Sequence, residues 1–243
     1  MVTGTGTGKA GKKSLVVCEA HDIVDSTHFL TEMEIKLLQL CLAQIYQVEE
    51  IDENTYYEID KKKYADIFRL SESAAYYAMV EACKTLMSRT LTLKSTLLDP
   101  EQPDKSRTII HWVSSCRYNP ETSSVELKWD SSVIDLLSQL GTDTPYSKYY
   151  LEDICELKSI HAIRLYRIVN KWALAKTKTF ELNEFRRLMG LTELEHNLFK
   201  HLNSQVIKPA IEAINIYTNL TVEVEFIKVG KTVKSLKFTI AKK

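Results

Sequence analysis

Two hydrophobic periods follow one another between Leu191 and Ile240, and their order restricts the fold more than any other part of the chain. Apolar residues first recur every three or four positions, as on one face of a helix: Phe199, Leu202, Val206, Ala210 and Ala213. They then alternate with polar residues over 221–226 and 236–240, with a turn at Gly230, as in a hairpin. A helix that leads into a hairpin is the second half of a winged helix-turn-helix.

The side of this helix opposite the apolar stripe carries small polar and basic side chains. They are Lys200, His201, Asn203, Ser204, Gln205 and Lys208. Asn203 and Gln205 can each pair with the edge of an adenine in the major groove, and Ser204 can donate or accept a hydrogen bond. The pattern therefore predicts a helix that reads bases, with a solvated helix face as the structural alternative.

Basic residues also mark the hairpin and the helix before Gly190. The hairpin tip carries Lys228, Lys231 and Lys234, so this wing is basic where it would meet a phosphate backbone. Arg186 and Arg187 are predicted to hold the DNA backbone rather than to read a base.

The first half of the chain repeats this order of elements. Its predicted core helix, 30–46, begins with a capping box of Thr31 and Glu34, and a helix-turn-helix capped by Ser71 and further strands follow. Four pieces align with the second half in order: 34–38 with 162–166, 57–60 with 180–183, 67–71 with 188–192, and 90–93 with 221–224. We therefore predict an α+β fold of two tandem winged helices related by pseudo-duplication.

The repeat also suggests how the chain divides. Residues 1–13 use four of the seven glycines, have no apolar anchor and are predicted to be a mobile tail. The segment 141–147, which contains Gly-Thr-Asp-Thr-Pro, is the predicted linker between a first domain, 14–140, and a second domain, 148–243. In the first domain the outward face that corresponds to the base-reading helix carries Ser73, Tyr77 and Lys84, for which contacts with phosphate and contacts with protein are both open.

Three local features of the second half are predicted as well. The helix 160–172 has an apolar side and a basic side formed by Arg164, Arg167 and Lys171. Asn183 is expected to cap the next helix. Pro209 lies within a helical pattern and cannot donate a backbone hydrogen bond, so we expect a kink or a new helix start there.

The formal net charge of zero hides an uneven distribution. From residue 145 onward there are 17 Lys and Arg against 10 Asp and Glu, or +7, and the remaining 15 against 22 give −7 for the first part. Such asymmetry suggests that one half has the stronger attraction for a polyanion. Chance segregation of surface charge is the alternative.

Several classes of protein are disfavoured by the sequence. No apolar run approaches the length of a membrane span and no signal-peptide core is evident, so we expect a cytosolic protein. The five cysteines are scattered and form no CxxC pair, so neither a disulfide framework nor a metal site is predicted. The fragment GTGTGKA has Ala10 where a phosphate-binding loop needs Ser or Thr. No nucleophile motif or His-hydrophobic-His pair appears, and we predict no enzymatic activity, no catalytic residues and no cofactor.

Four segments carry a resemblance to a known family: LTEMEIKLLQLCLAQI at 30–45, SIHAIRLYRIVNKW at 159–172, VIKPAIEAIN at 206–215 and GKTVKSLKFTI at 230–240. From Val16 to Lys243 the chain resembles the replication initiator (Rep) family of iteron-containing, theta-replicating plasmids. The resemblance implies binding of direct repeats in an origin as a monomer, duplex opening, recruitment of the host initiator and helicase, and repression of its own promoter by a dimer at an inverted repeat. It also implies that the first domain serves dimerisation and accessory backbone contacts.

In this family the segment just before VIKPAI makes most base contacts, and relatives often carry an arginine or lysine there. Here the segment is Leu202-Asn203-Ser204-Gln205, so polar amide contacts supported by Lys200 and Lys208 are expected. Two other functions remain open from the sequence. One is a dedicated winged-helix repressor, which would bind a single inverted repeat and not support replication, and the other is a winged-helix scaffold for protein contacts. The expected location is the bacterial cytoplasm.

Overall fold

The computed structural model describes residues 15–45, 51–94, 107–138, 145–192 and 194–243. The predicted tail, 1–13, lies outside these residues, as does most of the predicted linker. The last two positions assigned to that linker, Tyr146 and Ser147, are strand residues, which pair with Ala20 and Glu19 of the first half. No helix among the described residues has the length and apolar content that crossing a membrane requires.

The first half contains seven strands and five helices within its described residues. In chain order they are β1 (Val16–Ala20), α1 (His21–Asp25), β2 (Thr27–His28), α2 (Glu32–Ile45), β3 (Tyr57–Asp60), α3 (Lys61–Phe68), α4 (Glu72–Leu86), β4 (Thr90–Lys94), β5 (Arg107–His111), β6 (Val113–Asn119), β7 (Ser124–Trp129) and α5 (Ser131–Ser138). Helix α2 is buried along nearly its whole length. Its capping box is confirmed, because Thr31 N donates to Glu34 Oε2 over 2.6 Å and Glu34 N donates to Thr31 Oγ1 over 3.2 Å.

The second half, like the first, begins with a strand and a short helix and then repeats the pattern. Its elements are β8 (Tyr146–Tyr150), α6 (Glu152–Cys155), α7 (Ile160–Lys171), β9 (Thr177–Glu181), α8 (Leu182–Leu188), α9 (Phe199–Leu202), a π-helical turn (Asn203–Ile207), α10 (Lys208–Tyr217), β10 (Leu220–Val229) and β11 (Thr232–Lys242). The prediction that Asn183 caps α8 is wrong. The helix begins at Leu182, so Asn183 lies within its first turn.

Sheet topology confirms the two winged helices. In each half the strand before the helix-turn-helix pairs with the last strand of the hairpin, which gives the orders β3-β7-β6 and β9-β11-β10. Helices α3 and α8 both end at a left-handed residue at equivalent positions, Arg69 with φ 55° and Gly190 with φ 63°. Ser71 then caps α4 by accepting a hydrogen bond from Ala74 N, as predicted.

Two of the four aligned sequence pieces need correction. The piece 57–60 is matched two residues out of register, because Asp60 precedes α3 as Glu181, and not Asn183, precedes α8. The last piece is matched to the wrong strand. Segment 90–93 lies in β4, which pairs with β2 and β5 in a separate sheet, whereas its supposed counterpart 221–224 lies in the wing strand β10. The strand of the first half that corresponds to β10 by pairing is β6. An inserted pair of strands displaces the wing of the first half along the sequence.

Helix α7 lies where the two halves meet, and the prediction of a basic outer side is wrong for two of its three cations. Arg164 and Arg167 are 4% and 3% exposed. Arg167 Nε donates to Glu19 Oε2 of β1 over 2.8 Å, and Lys171 Nζ donates to Asp25 Oδ2 over 2.5 Å. The basic residues of α7 therefore join the second half of the chain to residues 19–28.

Candidate nucleic-acid interface

The helix from α9 to α10 is built as its periodicity predicts. Leu202, Val206 and Ala210 are at most 2% exposed and face the core. The opposite side exposes Lys200, His201, Ser204, Gln205 and Lys208, and Asn203 is half-buried at its edge. Most of the predicted base-reading side chains thus share one solvent-facing surface, which we call the recognition face.

The π-helical turn lies in the middle of this helix and has a local cause. An α-helical residue at position 209 would donate its N–H to the carbonyl of residue 205, but proline has no N–H and its ring clashes with that carbonyl. Widening the turn over 203–207 removes the conflict, and α10 then starts at Lys208 with Pro209 in its first turn. The predicted new helix start is therefore confirmed, and the three polar readers lie within the widened turn.

The wing is a long hairpin whose tip is basic. Strands β10 and β11 pair from Leu220↔Lys242 to Val229↔Thr232, with a register shift between Ile227 and Lys228. Gly230 turns the chain with φ 62°. Lys228, Lys231 and Lys234 are all exposed.

A cleft of about 900 Å³ separates the wing from the recognition helix and α8. Its apolar floor includes Phe199 and Phe226, whose rings pack edge to face with centroids 5.0 Å apart. Four basic side chains line it, and among its described lining residues there is no carboxylate: the cations are Arg186, Arg187, Lys228 and Lys231. Asn203 from the recognition helix reaches the same cleft.

The structure does not bring all predicted site residues to this cleft. Lys200, His201, Ser204, Gln205, Lys208 and Lys234 lie outside its lining. Lys208 Nζ is 3.9 Å from Glu212 Oε1 on an exposed surface, where such a pair is weak. In the first half, Ser73, Tyr77 and Lys84 are exposed on α4, and Lys84 Nζ donates to Glu81 Oε1 over 2.6 Å.

Arg186 is engaged within the second half. Its Nη1 donates to the carbonyl of His196 over 3.0 Å, and its Nη2 donates to the carbonyls of Thr192 and Glu195 over 2.9 and 2.5 Å. Hydrogen bonds from Thr192 N and Oγ1 favour the charged form of the Glu195 carboxyl and lower its pKa. Arg186 therefore helps to order the loop that leads into the recognition helix.

Arg187 is engaged differently. Its Nη1 donates to the carbonyl of Asp25 over 2.9 Å and to Thr27 Oγ1 over 3.3 Å, both in the first half of the chain. Burial lowers the pKa of its guanidinium, but Glu184 and Asp25 favour the charged form. Thr27 itself lines the cleft, although it lies about 160 residues before Arg187 in sequence. No local sequence pattern could have predicted that contribution.

A second arginine at the junction has no carboxylate partner among the described residues. Arg164 Nη1 donates to the carbonyl of His28 over 2.5 Å and packs against Gly190, while its Nη2 is buried without a hydrogen bond. Burial, with Arg167 and Arg187 nearby, lowers the pKa of Arg164 to about 9. Burial and the neighbouring charges of Arg164 and Arg167 also hold the pKa of His28 well below its ordinary value.

Two tandem winged helices, a polar recognition face and a cationic cleft beside the second wing define a DNA-binding protein. Comparison with known proteins gives the family. The model described as "Initiator Replication protein, WH1" matches residues 16–170, and that described as "Initiator Rep protein, WH2" matches residues 181–240. The chain belongs to the family of replication initiator proteins.

Individual relatives agree with this assignment. A replication initiation protein of Escherichia coli is 27% identical over 234 residues, which cover 93% of this chain and 69% of the relative. The solved structure of the Pi initiator protein in complex with iteron DNA superposes with a TM-score of 0.79 at 18% identity, covering 95% of this chain and 98% of that one. At that identity the likeness shows a shared fold across both winged helices.

Proposed function

We propose that this protein initiates plasmid replication by binding direct repeats in an origin as a monomer and by promoting opening of the adjacent duplex. The observation that carries the proposal is the cleft between wing and recognition helix, where four cations converge without a carboxylate among the described lining residues. Such a surface attracts a phosphate backbone and places the neighbouring recognition face toward a groove. Membership of the initiator family and the fold shared with an initiator solved on iteron DNA support the same function.

The roles proposed for individual side chains follow from where each one lies. The recognition face reads bases through Asn203, Ser204 and Gln205, with His201, Lys200 and Lys208 beside them. Lys228, Lys231 and Lys234 hold phosphates, and so does Arg187. For Arg186 we now favour a positioning role, because three carbonyl groups already accept hydrogen bonds from its two terminal nitrogens.

The remaining assignments concern the first half and the partners. Ser73, Tyr77 and Lys84 on α4 make accessory backbone contacts or contacts with protein. We retain the division into domains 14–140 and 148–243 as a proposal, while the family matches divide between residues 170 and 181. A second copy of the chain, at an inverted repeat in its own promoter, and the host initiator and helicase are the proposed protein partners. The protein acts in the bacterial cytoplasm without catalytic activity.

A footprint on the DNA flanking the gene, taken over a range of salt, tests this function. Protection that recurs with the period of direct repeats, about one protein per repeat, is expected. Affinity should fall steeply with salt, because several phosphate contacts release counterions. Protection of a single inverted repeat alone would instead identify a dedicated repressor, and weak binding indifferent to sequence would identify a protein scaffold.

A further inference from the structure

The cleft beside the second wing is not closed by the second winged helix alone. Thr27, in the short strand β2 of the first winged helix, lines it together with Arg187. Strand β2 pairs with β4 through Thr27↔Thr92 and His28↔Leu91, so Thr27 belongs to a sheet of the first half. One wall of the cleft is thus anchored in the other winged helix.

The contact between these two residues leaves a defined part of the guanidinium available. An arginine Nη1 carries two hydrogens, and here they are directed to the carbonyl of Asp25 and to Thr27 Oγ1. In the part of the chain that the structure describes, the hydrogen bonds of Arg187 all come from Nη1. The Nε–Nη2 edge therefore keeps three N–H donors in the fork that binds a phosphate through two hydrogen bonds.

The acceptors are themselves held in place. Lys171 Nζ donates to Asp25 Oδ2 over 2.5 Å, which ties the end of α1 to α7. Arg164 Nη1 donates to the carbonyl of His28 over 2.5 Å, one residue beyond Thr27. Both ends of the segment 25–28 are therefore held by side chains of helix α7, independently of Arg187.

We propose that the segment 25–27 of the first winged helix is a positioning element for DNA binding by the second, because it holds Arg187 Nη1 and so presents the Nε–Nη2 edge to a phosphate. This inference rests on the proposed function. A freely rotating arginine would lose side-chain entropy on binding, whereas an arginine held at Nη1 has lost much of it already. Thr27 then affects affinity through Arg187 and not through a contact of its own.

A double-mutant cycle tests the proposal on two DNA duplexes, one carrying a single repeat from the flanking DNA and one of scrambled sequence. Arg187→Met should weaken binding to both duplexes about tenfold and lower the slope of affinity against salt by about one. Thr27→Val, which removes only the hydroxyl acceptor, should weaken binding about three- to fivefold, and Thr27→Ser should restore it. In the Arg187→Met background Thr27→Val should have no further effect.

Matched controls separate this inference from the proposed function. Thr92→Val alters the residue that faces Thr27 across the β2–β4 pair but does not line the cleft, and it should leave affinity unchanged. Additive effects of Thr27→Val and Arg187→Met, or no effect of Thr27→Val alone, would overturn the positioning role. If Lys231→Ala still weakens binding in that case, the proposed function stands. If Lys231→Ala and Arg187→Met both leave affinity unchanged, the cleft does not bind DNA and both proposals fail.

Discussion

Single residues at the junction of the two winged helices carry geometric constraints that side-chain type alone does not reveal. Arg69 and Gly190 end equivalent helices in the same left-handed conformation, yet only the second is a glycine. The difference lies in the surroundings. A Cβ on Gly190 would overlap Arg164 Nη1 and would lie 2.7 Å from the carbonyl oxygen of His28, whereas Arg69 is exposed.

Substitution of two glycines by alanine tests this difference. Gly190 and Gly230 have nearly the same φ, 63° and 62°, but nothing lies within 4 Å of a Cβ on Gly230. Gly230→Ala should cost about 1 kcal/mol of unfolding free energy from the backbone alone, and Gly190→Ala roughly 3 kcal/mol or more because overpacking is added. Urea unfolding of both variants measures these losses of unfolding free energy. Equal losses would show that the Arg164 side chain moves aside without strain.

His28 predicts how stability depends on pH. Burial and two arginines lower its folded pKa well below the ordinary value of 6.5, so the unfolded chain binds a proton that the folded chain does not. The contribution of neutral His28 to the free energy of unfolding is therefore fully present above about pH 6.5 and is lost as pH falls. The wild-type protein should lose roughly 2 kcal/mol more than His28→Gln between pH 7 and pH 5. Parallel losses, measured by urea unfolding at each pH, would remove His28 as the cause.

At the residue scale, prediction from sequence succeeds where the cause is local. Thr31 and Glu34 satisfy each other within one helical turn, so their spacing suffices to identify the cap. Arg164 and Thr27 show the limit. Residues far away in sequence form the environments of both. The pattern of an amphipathic helix does not indicate which of its basic residues will be buried against a distant part of the chain.

The recognition helix and the wing are separate elements that meet at one cleft, so they should contribute differently to binding. Half-buried Asn203 and exposed Gln205 present amides that can distinguish bases, while Lys228 and Lys231 present charges that cannot. The alternating pattern of the wing and the stripe of the helix were both predictable, because each depends on a regular period of buried side chains. The π-helical turn between residues 203 and 207 was not, although Pro209 indicated an interruption.

Paired substitutions in these elements separate specificity from affinity. Asn203→Ala with Gln205→Ala should weaken binding to the repeat by about 1 to 3 kcal/mol per lost base contact and leave scrambled DNA unaffected. Lys228→Ala with Lys231→Ala should weaken both about equally and reduce the salt slope by about two. Lys242→Ala, exposed at the other end of β11, is the control. If the amide variants lose affinity equally for the repeat and for scrambled DNA, the recognition face contacts the DNA backbone and not the bases.

The whole molecule is a duplication whose copies have diverged in different places. The strand orders β3-β7-β6 and β9-β11-β10 preserve one topology, while the first copy has acquired the additional strands β4 and β5. Sequence comparison of the halves identified the duplication, and its helical pieces aligned correctly, but it matched 90–93 to the wrong strand because short alternating segments resemble one another. Contacts such as Arg167 with Glu19 then bind the two copies together through buried charges.

Replication in trans is the most direct measurement of the central claim that this two-part molecule is an initiator. A plasmid that carries the repeats and adjoining AT-rich DNA, but not the gene, is introduced into cells that supply the wild-type protein or the Asn203→Ala, Gln205→Ala variant. The plasmid should be maintained only with the wild-type protein, and the same repeats should be protected in its footprint. Protection of the repeats without plasmid maintenance would contradict initiation and would leave the protein a DNA-binding repressor.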